Sequence, residues 1–177
     1  MFYTWVPSSG QDFILGVKYG YGTHSFIRQS DDKKTPSYTT QKIGLVTEFS
    51  PYYSHLFIIS GIAYEINDLG NSISVPLTAR IVLGNTVRPF FEGGGYFNYF
   101  LADSSGVYSL KNDLGANLMA GILVHIKKHV RIELGYTYRF GLTTALGEEI
   151  MLPGGQDMQE EYRRKSGSID FCIKYRF

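Results

Sequence analysis

About eight times along this chain, apolar and polar residues alternate strictly over 9 to 11 or so positions, the period of a pleated strand whose two faces meet different surroundings. The clearest run sets Ile132, Leu134, Tyr136, Tyr138 and Phe140 against Arg131, Glu133, Gly135, Thr137 and Arg139. The chain closes on another, Ile169, Phe171, Ile173, Tyr175 and Phe177 against Ser168, Asp170, Cys172, Lys174 and Arg176. It opens on Phe13, Leu15, Val17, Tyr19 and Tyr21 against Ile14, Gly16, Lys18 and Gly20. Further runs begin near Lys42, Leu56, Val75, Phe91 and Asp113. The one near Leu56 is apolar on both sides. Its best register puts Leu56, Ile58, Ile62 and Tyr64 on the apolar face, with Gly61, Ala63 and Glu65 opposite. A helix cannot use this period. The 14 Tyr, 12 Phe and 20 Gly also suit pleated surfaces better than helices, so the fold class is all-β.

The connections alternate as well. Those after the second, fourth and sixth runs are tight: 50–54, 84–88 and 127–129. Those after the odd runs are mostly longer and polar: 23–39, 67–72, 103–111 and 143–166. Short turns on one side and longer loops on the other are the habit of an up-and-down transmembrane barrel, whose even strand count returns both termini to the short-turn side.

Alternation alone leaves two barrels open. In a soluble lipocalin-like carrier the apolar face points inward to a ligand; in a membrane barrel it points out to lipid. Here the polar face mixes charges with Gly16, Gly20, Gly44, Gly94, Gly115, Gly121 and Gly135, as a narrow interior holding large charged side chains would require. The apolar face carries Tyr19, Tyr21, Tyr64, Phe97, Tyr99, Tyr136, Tyr138, Phe140, Tyr175 and Phe177, which would overfill an eight-stranded lumen but suit interfacial aromatic girdles. No apolar run reaches the roughly 18 to 20 residues of a membrane helix, so a membrane location demands a closed barrel. The sequence therefore predicts a closed antiparallel up-and-down transmembrane β-barrel of about eight strands over 12–177. Residues 1–11 read as a signal-peptide remnant or an N-terminal tail.

The inward face defines the candidate site. Lys18, Lys42, Arg80, Arg131, Arg139, Lys174 and Arg176 stand opposite Glu48, Glu65, Glu92, Asp113, Glu133 and Asp170. Near-equal numbers of the two signs predict an ion network that fills the lumen, because an unpaired buried charge costs several kcal/mol. Lys18, Glu48, Arg80, Glu92, Asp113, Arg131, Glu133, Arg139, Asp170, Lys174 and Arg176 are the residues assigned to that network. No catalytic set, cofactor site or metal-ligand spacing is evident. His24, near Ser25, Asp31 and Asp32, is the weak candidate for a lipid-modifying enzyme. The net charge of +1 gives no reason to expect a nucleic acid. Cys172 reads as a small lumen filler, and Pro76, inside a run, predicts a bulge. Loop 143–166 holds Glu148, Glu149, Asp157, Glu160 and Glu161, then Arg163, Arg164 and Lys165. It is a candidate surface for an extracellular partner, its basic cluster for lipid phosphates.

The stretch from Val75 to Leu101 resembles a hairpin of the outer-membrane β-barrel proteins of Bacteroidetes, the PorT-like group. The matching positions are Val75, Pro76, Leu77, Arg88, Pro89, Phe90, Gly95, Tyr96 and Tyr99. The opening FILGVKYGYG and the terminal aromatic strand are similar to that group's first and last strands. The resemblance implies a barrel in the outer membrane of a Gram-negative bacterium, inserted with the help of the barrel-assembly machinery that reads the terminal strand. It implies no catalytic residues. The expected function is that of a structural or interaction protein with a plugged polar lumen.

Overall fold

The computed structural model describes residues 12–28, 37–50, 55–68, 70–84, 86–101, 108–151 and 157–177. Residues 1–11, read above as a signal remnant or tail, lie outside them. Eight strands form the barrel: β1 (Asp12–Arg28), β2 (Tyr38–Ser50), β3 (Leu56–Asn67), β4 (Ser72–Val82), β5 (Val87–Phe100), β7 (Asp113–His125), β8 (Val130–Gly141) and β10 (Asp157–Arg176). Each pairs antiparallel with the next, and β10 pairs back onto β1, from Ile14 with Arg176 to Arg28 with Tyr162. The sheet is therefore closed. Two short strands, β6 (Tyr108–Leu110) and β9 (Leu146–Met151), continue the sheet from the first half of β10 in the order β10-β9-β6.

Following the ladder once round from Ile14 passes Glu48, Ile59, Thr78, Gly94, Asn117, Arg139 and Ser166 and returns to His24. The stagger is ten residues along β1, and with ordinary strand spacings it tilts the eight strands by about 40°. It also brings residues far apart in sequence to one level of the lumen.

The apolar face points outward on every barrel strand. Val17, Ile43, Ile62, Leu77, Phe91, Leu118, Tyr136 and Ile169 are all exposed. The terminal strand presents Ile169, Phe171, Ile173, Tyr175 and Phe177 to the exterior, with Phe177 71% exposed. Aromatic rings gather at the short-turn end, where Tyr175 meets Phe177 at 5.2 Å and Phe177 meets Phe13 at 6.1 Å. The soluble carrier needs the reverse arrangement and does not describe this molecule.

Several expectations change. β1 runs to Arg28, so residues 23–28 are strand and not loop. The expected loop 143–166 contains β9 and the first half of β10, a hairpin paired from Asp157 with Met151 to Tyr162 with Leu146. The expected loop 103–111 contains β6. The short strands β6 and β9, of three and six residues, are too brief to show a two-residue period in the sequence. Pro76 makes no bulge: the β3–β4 register is the same on both sides of it, from Ser60 with Leu77 to Ala63 with Ser74. The ladder instead omits two pairs there, as expected of a residue with no N–H to donate. Ser60 Oγ donates to the Pro76 carbonyl across the gap at 3.2 Å.

Candidate functional site

Inward side chains fill the lumen in layers. At the short-turn end lies an apolar floor of Ile14, Val46, Phe57, Ile59, Val82, Phe90, Met119, Leu123 and Cys172. Phe57 and Ile59 explain why β3 reads as apolar on both faces: both turn inward to this floor, while Ile58 and Ile62 face outside. Phe90 is fully buried because β7 and β8 carry glycine where its ring arrives; a Cβ on Gly121 would sit 2.7 Å from Phe90 Cζ.

The first charged layer rests on this floor. The Arg80 guanidinium lies 4.1 Å above the Phe90 ring and that of Arg131 5.6 Å from Phe57. Arg80 Nη1 reaches Glu48 at 2.9 Å and Glu133 at 2.8 Å, while its Nη2 donates to Glu92 at 2.7 Å. Lys174 Nζ bonds Glu48 and, at 2.7 Å, Glu133. Arg131 completes the layer, paired with Glu48 and with Glu133 at 3.0 Å. Thr78 Oγ1 donates to the remaining oxygen of Glu92 at 2.7 Å. Three cations thus meet three carboxylates.

Above it, Asp170 takes two lysines, Lys18 and Lys42, each at 2.8 Å. Lys42 also donates to Ser168 Oγ at 2.8 Å. Gly20 makes room: a Cβ there would collide with Lys42 Cε and Asp170 Oδ1. Higher still, Glu65 is shared by Arg139 and Arg164, the latter at 2.8 Å. Arg139 Nε donates to Asn117 Oδ1 at 3.2 Å, and its guanidinium covers the Tyr96 ring at 5.1 Å. Tyr96 donates its hydroxyl proton to Asp113 at 2.7 Å. At the long-loop end Phe26, Tyr162 and Ala145 pack together beside Tyr38.

Of the residues assigned from sequence, Lys18, Glu48, Arg80, Glu92, Asp113, Arg131, Glu133, Arg139, Asp170 and Lys174 all lie inside the lumen in these layers. Arg176 lies at the end of the same strand face. It stands half-exposed at the short-turn rim, where its backbone is tied to that of His129. Arg164 is the residue the sequence reading misplaced. It was expected among a lipid-facing basic cluster but is 2% exposed inside the barrel. The signal was there: Tyr162, Arg164, Ser166 and Ser168 continue the inward period of the last strand backwards. Its neighbour Arg163 is exposed, and Lys165 lies 5.3 Å from the Phe140 ring. The carboxylate side chains of 148–161 lie outside the described residues.

The histidines tie structure together. His55 and His129 donate ring N–H bonds to the carbonyls of Val82 and Arg176, both at 3.0 Å. His24 is strand, not loop, buried and stacked on Tyr38 at 5.5 Å. Its neighbours Asp31 and Asp32 lie outside the described residues. Among the described residues no group of three or more His, Cys, Asp or Glu could hold a metal.

No protein-family model matches the chain, and no curated protein does either. The fold itself recurs in solved structures. Neisserial surface protein A superposes with a TM-score of 0.66 at 14% identity, covering 95% of this chain and 99% of that one. The outer membrane protein OprG of Pseudomonas aeruginosa gives 0.56 at 12% identity, covering 96% and 97%. Ail, the attachment invasion locus protein of Yersinia pestis, gives 0.52 at 14%, covering 93% and 98%. At such identities the likeness is one of fold: a closed, eight-stranded antiparallel barrel.

Proposed function

We propose that this chain is an integral protein of the outer membrane of a Gram-negative bacterium, a barrel plugged by its own side chains that acts structurally or through its long-loop end. One observation carries the location: leucine, isoleucine, phenylalanine and tyrosine cover the outer face of all eight barrel strands. Water would have to hydrate that entire belt, whereas lipid does not. The short turns then face the periplasm and the β6–β9–β10 extension faces out. The plug reading rests on the apolar floor and the paired layer above it, in a barrel just wide enough for its own side chains. Its role is non-enzymatic.

The likeness to the Bacteroidetes PorT-like group is supported by the β4–β5 hairpin, where Val75 pairs with Phe97, Pro76 with Tyr96 and Leu77 with Gly95. Within that reading the terminal aromatic strand is the segment offered to the barrel-assembly machinery, and the hairpin around 143–166 is the surface for an extracellular partner. Cell fractionation, with gel mobility compared before and after boiling, tests the location. The expected protein is extracted only by detergent and migrates faster when unboiled; a protein soluble without detergent ends this reading. Planar bilayers test the plug: no steady conductance is expected, and stable single-channel steps would replace the plug with a pore.

A further inference from the structure

Between the paired lower layer and the lysine pair lies a cavity of about 30 Å³, room for a water molecule or two or for one monatomic anion. One side of it is bare wall, Gly44, Gly61, Ala63 and Pro76. Val46, Ile59, Met119 and Cys172 add apolar lining, and the charged groups that reach it are five cations, Lys18, Lys42, Arg80, Arg139 and Lys174, and two carboxylates, Glu92 and Glu133. Arg80 and Lys174 are matched by carboxylates below. The imbalance comes from above, where Asp170 serves both Lys18 and Lys42 and Glu65 serves both Arg139 and Arg164. Among the described residues of these layers, seven cations (these five with Arg131 and Arg164) stand against six carboxylates: Glu48, Glu65, Glu92, Asp113, Glu133 and Asp170.

We propose that this cavity is a binding site for one small monovalent anion of chloride size, which neutralises the excess cation of the layers around it. The wall residues supply the space, and Lys18, Lys42 and Arg139 supply the attraction. The argument is electrostatic: a buried cation that shares its carboxylate retains uncompensated charge, and the low-dielectric lumen makes a mobile counter-ion worth its lost hydration. Asn117 lies on the same cavity wall, with Arg139 bonded to its Oδ1. Asn117→Asp would supply the missing negative charge covalently.

The test uses the folded full chain in detergent micelles, so it does not depend on where the barrel resides or whether it conducts. Its unfolding temperature is measured in sodium chloride and in sodium gluconate at equal ionic strength, alongside the ³⁵Cl linewidth. The natural chain should unfold about 3 to 6 °C higher in saturating chloride and should broaden the chloride signal saturably. Asn117→Asp should lose both responses. Should Asn117→Asp fail to fold, Lys42→Met removes the same excess charge and should lose them too. Equal unfolding temperatures with no broadening in the natural chain would mean that the charge is relieved otherwise, by a neutral lysine or by water alone, and would overturn the proposal. So would a chloride response that survives in both variants.

Discussion

The two halves of the lumen solve the same problem in different ways. Near the short-turn end, Arg80, Arg131 and Lys174 interlock with Glu48, Glu92 and Glu133, and the six groups sit on an apolar floor that excludes water. Near the long-loop end the ion pairs of Glu65 are set among polar side chains that are not paired with one another. Asn98 is 0% exposed, yet neither atom of its amide has a hydrogen-bond partner among the described residues; nor do the hydroxyls of Thr40, Ser72 and Ser74, Asp113 Oδ1 or Arg164 Nη1. These residues are neighbours across the ladder, Ser74 opposite Asn98 and Asn98 opposite Asp113. Buried polar atoms of this kind are satisfied by ordered water. The lower half is therefore a lock of six mutually dependent charges, and the upper half a polar chamber of smaller, separate pairs. Stability should be concentrated below.

The most direct way to break this contrast is Glu133→Gln. Glu133 holds Arg80, Arg131 and Lys174 together, so removing its charge leaves three cations with two carboxylates in a buried layer. A loss of about 3 to 5 kcal/mol is expected in urea unfolding from micelles. A loss under about 1 kcal/mol would show that water already reaches this layer. A smaller effect sharpens the point. Combining Glu133→Gln with Lys174→Met removes one charge of each sign, so the double variant should recover part of the loss, with a coupling of roughly 1 to 3 kcal/mol. Strict additivity of the two would mean that the lock is a set of independent pairs.

The sequence makes the lock legible as a list but not as a network. Alternation assigns Glu48, Arg80 and Glu133 to one face, because each strand there separates lipid from lumen. It cannot say that Arg80 meets both carboxylates, since that contact depends on the ten-residue stagger of the closed sheet. The upper half is less legible for a different reason. Beyond the apolar belt the outward face is polar too, as at Thr39, Gln41 and Arg163, and the two-residue period loses its contrast. Arg164, between Arg163 and Lys165, looks like part of a solvated basic run for that reason. The short strands β6 and β9 are hidden because three and six residues are too few to show a period. The apolar floor has the opposite defect: Phe57 and Ile59 erase the contrast by making both faces of β3 apolar.

In the upper half, Arg164→Met should have an intermediate effect. It takes one guanidinium from Glu65 but leaves Arg139 on the same carboxylate. A loss of about 1 to 3 kcal/mol is expected, smaller than that for Glu133→Gln in the same assay.

Asn98→Leu should do least. The side chain is as buried as any in the lock, so burial alone would make it a severe substitution. Its amide, however, has no described protein partner, and the change removes an unpaired donor and acceptor while roughly keeping volume. A water admitted there would still bond Ser74 and Asp113, which flank Asn98 on β4 and β7. The expected change in urea unfolding is within about 1 kcal/mol of zero. A loss matching that of Glu133→Gln would mean that the water around Asn98 is as fixed as the ion pairs below, and the two halves of the lumen would then be one lock rather than a lock and a chamber.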